Sequence, residues 1–147
     1  MHTSSFAIKT ADNYFNEMLI LQYDDFLNHN ASSRHALLAT IVVYHFYEWV
    51  NGTEFGKDKE KNFMSKYPED ESLIAEFDAA RLITNGTKHF SNKSVTKRTQ
   101  SGFSSGFDEG FARPLNIQYP DGSECSVDKF LKNIVDFWKR QKELGAF

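Results

Sequence analysis

RHALLATIVVYHFYEWVNG, residues 34–52, is predicted to form a helix that is apolar on nearly all sides. Such a helix belongs at the centre of a bundle, because it has no polar face to turn toward water. We expect Ser32 or Ser33 to accept hydrogen bonds from its first free N–H groups, and the closing Asn-Gly pair to end it. With roughly 15 apolar-biased residues that include His45 and Glu48, it is too short and too polar to cross a membrane.

Three further helices are predicted to pack around this central one. The first covers residues 11–29, where apolar side chains recur at steps of three and four. Another begins near residues 69–72 and ends near Phe90. The last is expected to be capped by Asp128 and has a wide apolar face, formed by Phe130, Leu131, Ile134, Val135, Phe137 and Trp138.

The segments between these helices are shorter or less regular. Alternating charges around one small apolar patch predict a short, exposed helix within residues 53–70. Residues 91–110 are rich in Ser, Thr and Gly and predict a loop or an irregular extended segment. A strong turn signal at residues 120–123 predicts a small antiparallel β-hairpin over about 114–127. The predicted fold is therefore mainly α, a four- to five-helix bundle with this β-hairpin before the C-terminal helix.

Length and composition predict one ordinary globular domain, covering residues 1–147. The chain is 40% hydrophobic and 25% charged, with a formal net charge of -3, so any basic nucleic-acid site must be local. The single Cys125 excludes an intrachain disulfide and a multi-cysteine zinc site. We expect a cytoplasmic protein with no membrane contact, because the sequence starts without a basic region followed by an apolar one.

FDAARLITNGTKHF, residues 77–90, carries a polar face along one side of its predicted helix. At 3.6 residues per turn, this face comprises Asp78, Arg81, Asn85 and His89, with Lys88 beside them. The packing side comprises Leu73, Phe77, Ala80 and either Leu82 or Ile83. An imidazole beside two cations can hold an anion and move a proton, as a phosphodiester site requires. The alternative is a hydrogen-bond network that caps or joins helices.

Two other groups of residues are candidates for binding. His45 and Glu48 share one side of the central helix, where we expect a buried pair that bonds to Arg81 or His89. Because only one His-x-x-Glu motif is present, we expect no metal ion and no cofactor. A basic run could attract a phosphate backbone or could be a solvated loop. It comprises Lys88, Lys93, Lys97 and Arg98.

The segment from Asn85 to His89 resembles part of the signature of the HEPN superfamily, in which Arg is followed after four to six residues by His. In this sequence Thr84 stands where the family has Arg before Asn, and Arg81 lies seven residues before His89, not counting the two themselves. The chain is also similar to bacterial proteins that carry Asn-Gly-x-Lys-His-Phe after a His-x-x-Glu-Trp helix, a likeness that indicates no function.

The HEPN resemblance implies a small helical protein, often a homodimer, from a toxin–antitoxin or antiphage defence system. Active members cut RNA without a metal ion. On this hypothesis the protein contacts RNA or a nucleotide and has an antitoxin or defence partner. His89 carries the proton or binds the phosphate, Arg81 and Lys88 hold the anion, and Asn85 completes the candidate catalytic set. The alternative hypothesis is a non-catalytic interaction or dimerisation module whose polar cluster is structural.

Overall fold

The computed structural model describes residues 6–58, 61–88, 96–99, 115–119 and 121–147, with the backbone alone for residues 88 and 96–99. The protein is mainly α, with a small antiparallel sheet before the C-terminal helix, as the sequence predicts. The elements are α1 (Ala11–Tyr14), a π-helical segment (Phe15–Leu19), α2 (Ile20–Asn28), α3 (Ser33–Asn51), α4 (Phe55–Asp58), α5 (Lys61–Lys66), α6 (Leu73–Lys88), β1 (Thr96–Thr99), β2 (Leu115–Gln118), β3 (Glu124–Ser126) and α7 (Val127–Glu143).

α3 is the central helix, and it packs against α2, α6 and α7. The Ser32 side chain accepts a hydrogen bond from the backbone N–H of His35, and Gly52 ends the helix with φ 76°. Both ends therefore follow the sequence signals, since a left-handed residue after a helix favours glycine. The helix is less enclosed than predicted, because Leu38 is 40% exposed on its outer side.

α1, the π-helical segment and α2 run on as one helical stretch, in agreement with the predicted helix over residues 11–29. Thr10 caps its start by accepting a hydrogen bond from the N–H of Asn13. In the π-helical segment the N–H of Ile20 bonds to the carbonyl of Phe15. This wider turn, which the sequence pattern does not reveal, buries both Phe15 and Leu19.

The segment after α3 differs from the single exposed helix predicted within residues 53–70. It forms two short helices, α4 and α5, and the side chains of Phe55 and Phe63 are completely buried. Tyr67 is buried as well. The prediction was wrong on exposure because the aromatic rings of this segment pack into the core against α3, and one of its alternating charges, Asp58, is buried with them.

An aromatic core joins the helices around Tyr47 of α3, which is completely buried. Its ring centroid lies 5.6 to 6.4 Å from five other rings, most of them in edge-to-face contact. They belong to Phe55, Phe63, Tyr67, Phe77 and Trp138. Such ring pairs stabilise a fold beyond the area that they bury. One side chain therefore connects α4, α5, α6 and α7.

The three strands form an antiparallel sheet in the order β1, β2, β3. The predicted hairpin is confirmed in β2 and β3, where Ile117 faces Cys125 across the pair. In its turn the Asp121 carboxylate accepts hydrogen bonds from the N–H and the hydroxyl of Ser123, at 2.9 and 2.6 Å. β1 comes from the segment that was predicted to be a loop or irregularly extended, and pairing with β2 makes part of it a strand.

α7 buries the apolar face that the sequence predicts, including Phe130, Phe137 and Trp138. The predicted cap was wrong, because Ser126, not Asp128, accepts the hydrogen bond from the N–H of Lys129. Asp128 lies in the first turn of the helix, where its negative charge interacts favourably with the positive end of the helix dipole.

Within the described part of the chain, no helix combines the length and the apolar character that a membrane span needs.

Candidate functional site

A polar cleft of about 470 Å³ lies between α3, the start of α4 and the second half of α6. We call it the α3–α6 cleft. Its lining residues are Ile41, Tyr44, His45, Glu54, Gly56, Lys57, Arg81, Thr84, Asn85 and Thr87. The volume lies within the range of about 300–1,000 Å³ that is usual for small-molecule sites. The cleft therefore brings together His45 of α3 with Arg81 and Asn85 of α6, three candidates that the sequence analysis had placed on two different helices.

The packing of α6 explains how its polar residues reach this cleft. Leu73, Phe77, Ala80 and Ile83 are buried, so the packing stripe follows the sequence prediction and continues through Ile83, while Leu82 is only partly buried. This stripe faces the core and leaves Arg81 and Asn85 at the border between α6 and α3. Helical periodicity thus places both side chains on the same side of α6, and the packing of α3 and α4 against that side forms the cleft.

Arg81 bonds to Asp78 on its own helix and passes close to Gly56 of α4. Its Nε donates a hydrogen bond to Asp78 Oδ1 at 3.0 Å, which uses one of the five N–H donors of the guanidinium. Its Cδ passes close to Gly56, where an added Cβ would lie 3.2 Å away. Because Gly56 does not have a positive φ, close approach of the arginine is the reason the structure offers for glycine there. The side chain is 25% exposed.

Tyr44 forms a buried wall of the cleft. Burial raises the pKa of its phenol, the hydrogen bond with the Gly56 backbone opposes this, and the charge of Glu54 adds to the rise. The hydroxyl is therefore neutral at physiological pH, and it bonds to the backbone of Gly56.

Thr84 is a buried lining residue of the cleft that the sequence analysis had noted only as a departure from a signature. It is 8% exposed, and its Oγ1 has no hydrogen-bond partner among the described residues. A buried hydroxyl without a partner costs roughly 1–3 kcal/mol. Its position three residues after Arg81, and so on the same side of α6, is the sequence signal that could have identified it.

The predicted buried pair of His45 and Glu48 is wrong in its burial. Both side chains are exposed, and the described structure records no hydrogen bond or ion pair between them. His45 nevertheless lines the α3–α6 cleft with Arg81, next to the ring of Tyr44 at 5.5 Å between centroids. Glu48 does not line it. The error arose because α3 was taken as apolar on nearly all sides, whereas these two residues lie on its solvent side.

Of the remaining candidates the structure describes at most the backbone. His89 and Lys93 lie outside the described residues, and Lys88 is described only as the last backbone position of α6. Lys97 and Arg98 belong to β1, where they pair with Ile117 and Asn116 of β2.

The sequence analysis missed three residues that line the cleft, Lys57, Glu54 and Tyr44. Lys57 and Glu54 come from a segment without clear periodicity, and Tyr44 was assigned to the apolar core.

Cys125 is half-buried in β3, and its Sγ donates to the carbonyl of Ser126 at 3.3 Å. Burial raises the pKa of this thiol, and the negative charge of Glu76 raises it further. A raised pKa disfavours the thiolate that a nucleophile requires.

No group of three or more His, Cys, Asp or Glu side chains within the described ranges is arranged to hold a metal ion.

Comparisons of the chain with protein-family models, with curated proteins and with solved structures each find no match.

Proposed function

We propose that the protein is a HEPN-like domain whose α3–α6 cleft binds the phosphate of a nucleotide or of RNA. The observation that carries this proposal is Arg81, whose guanidinium bonds to Asp78 and whose Cδ passes close to Gly56 at a polar cleft. A positioned guanidinium presents its N–H groups in a fixed fork that matches phosphate oxygens. Preorganisation of this kind lowers the entropy lost on binding.

The other cleft residues suit a nucleotide ligand. Lys57 adds a second positive charge at the rim, and the Asn85 side chain is an amide that both donates and accepts hydrogen bonds. The exposed ring of His45 offers an edge or a face to a base. These groups hold a polar anion better than an apolar molecule.

Metal-independent RNA cleavage is the catalytic form of this proposal. It requires an imidazole near the phosphate, to take the proton of the attacking hydroxyl. His45 lies in the cleft, and His89 follows α6 directly in the sequence. RNA turnover in the presence of a chelator, measured for His45→Ala and His89→Ala beside the parent, tests this step.

The alternative is a non-catalytic interaction module in which the polar face serves only the fold. In that case the polar groups of the face should satisfy one another. The partial exposure of Arg81 at the cleft favours a ligand site instead.

Arg81→Gln is expected to weaken binding of adenosine 5′-monophosphate or of a single-stranded RNA ten-mer by about ten- to 150-fold. Loss of hydrogen bonds between charged groups costs roughly 1.5–3 kcal/mol, which converts to this range. The melting temperature should stay close to that of the parent, since a partly exposed ion pair three residues apart contributes little. Isothermal titration calorimetry at low salt measures the affinity.

Arg140→Gln is the matched control. Arg140 also pairs with an aspartate, Asp70 at 3.1 Å, but it lies on α7, and this variant should bind as the parent does. If the parent binds neither ligand, or if both arginine variants bind equally well, the proposed function is wrong.

A further inference from the structure

The α3 side of the α3–α6 cleft differs chemically from the opposite side. α3 contributes an aliphatic side chain and two rings, those of Ile41, Tyr44 and His45. Among the described lining residues, the lysine and the arginine, Lys57 and Arg81, lie on α4 and α6 instead. A ligand that fills the cleft therefore meets rings and an aliphatic chain on one side and positive charge on the other.

The side chains on the α3 side can be reached from the cleft. Ile41 is half-buried and His45 is exposed. They are four residues apart on α3, so their side chains are neighbours on the helix surface. The buried ring of Tyr44 supports the imidazole of His45, with 5.5 Å between the centroids and 62° between the planes. An accessible ring thus lies beside an accessible aliphatic chain.

Tyr44 also connects the two sides of the cleft. Its hydroxyl bonds with the backbone of Gly56. A Cβ added at Gly56 would lie 3.7 Å from this hydroxyl and 3.2 Å from Cδ of Arg81. The imidazole therefore contacts the ring of Tyr44, and the stem of the arginine passes near its hydroxyl end. One tyrosine side chain lies between the two groups, in the way that a ribose lies between the base of a nucleotide and its phosphate.

We propose that the α3 side of the cleft is the base-binding half of the site, where the ring of His45 stacks on a nucleobase beside Ile41. This rests on the proposed function, which places the phosphate at Arg81, and it names the second part of the ligand. Bases stack on aromatic side chains, histidine included, through their ring faces. The ligand class is thus a phosphate that carries a nucleobase, either as a free nucleotide or within RNA.

Adenosine 5′-monophosphate and ribose 5-phosphate together measure the contribution of the base, because they share the ribose and the phosphate. The parent is expected to bind the monophosphate about five- to 150-fold more tightly, the range that one stacked base gives. His45→Ala should lose most of this difference and should bind ribose 5-phosphate as the parent does. Its melting temperature should stay close to that of the parent, because the side chain is exposed. Isothermal titration calorimetry at low salt measures the affinities.

His45→Phe separates stacking from any other role of the imidazole. Phenylalanine keeps a ring face but has no nitrogen, so it cannot carry a charge or exchange a proton. This variant should bind the monophosphate within a few-fold of the parent.

His29→Ala is the matched control. His29 is also an exposed imidazole next to another ring, that of His35 at 4.3 Å, but it follows α2 and does not line the cleft. This variant should bind both ligands as the parent does.

A ten-residue oligoadenylate distinguishes the two sources of the base. Tighter binding of the ten-mer than of the monophosphate would identify RNA as the source, and weaker binding would identify the free nucleotide. In either case His45→Ala should weaken the binding of the preferred ligand.

Other results would overturn the inference. Equal affinity of the parent for the monophosphate and for ribose 5-phosphate would show that the cleft holds only the phosphate, and the proposed function would stand. Parent-like binding of the monophosphate by His45→Ala, or an equal loss in His45→Phe and His45→Ala, would rule out stacking on this ring. Failure of the parent to bind any of the three ligands would refute the proposed function itself.

Discussion

Trp138→Ala is expected to lower the free energy of unfolding by about 3–5 kcal/mol, as is typical for a fully buried large aromatic side chain. The indole lies in α7 with no exposed surface, and its centroid is 4.8 Å from the ring of Phe137 and 4.9 Å from that of Phe46. Alanine would leave a cavity that α3, α6 and α7 all border. Equilibrium unfolding in urea, followed by far-ultraviolet circular dichroism, measures the change.

Leu144→Ala is the control for this prediction. Leu144 follows the same helix but is 77% exposed, and its loss should change the free energy of unfolding by less than about 0.5 kcal/mol. Similar values for both variants would show that the indole does not join the helices in the way the ring contacts indicate.

Asp58→Ala is expected to destabilise the protein by roughly 1–3 kcal/mol, because it removes the acceptor of a buried hydroxyl. The Asp58 carboxylate is buried and accepts hydrogen bonds from the Tyr47 hydroxyl at 2.9 Å and from Asn62 at 3.1 Å. Lys66 forms an ion pair with the same carboxylate. Tyr47 would be left in the core without its partner. Urea unfolding at pH 7 measures the loss.

The same group predicts a pH dependence of stability. Burial raises the pKa of Asp58, but the hydrogen bonds from Lys66, Tyr47 and Asn62 outweigh it and lower the pKa below its ordinary value. The stabilisation is therefore fully present above the unfolded-state pKa of about 3.9 and is lost as the pH falls through the lower folded-state pKa. Asp58→Asn should remove this part of the decline in acid.

Asp136→Ala is the matched control, because Asp136 also pairs with a lysine but lies exposed on α7. Its effect should stay below about 1 kcal/mol, the upper end for surface ion pairs. If Asp58→Ala costs no more than Asp136→Ala, the hydrogen bonds to Asp58 do not contribute to stability as we expect.

The long helices and the packing side of α6 were predictable because they depend on local sequence patterns. The stripe of Leu73, Phe77 and Ala80 follows from the 3.6-residue period, and Gly52 ends α3 because a left-handed residue is needed there. The same period places Arg81 and Asn85 on one side of α6. These features need only the residues within a few turns of one another.

The cleft itself depends on contacts between residues far apart in sequence, which periodicity does not report. Phe55 and Phe63 become core residues because Tyr47 and Phe77 lie opposite them, and this packing brings Gly56 against Arg81. The exposed position of His45 likewise follows from where α6 leaves α3 uncovered. No pattern along the chain could show that Thr84 lacks a hydrogen-bond partner, because a partner can come from any element that folds against it.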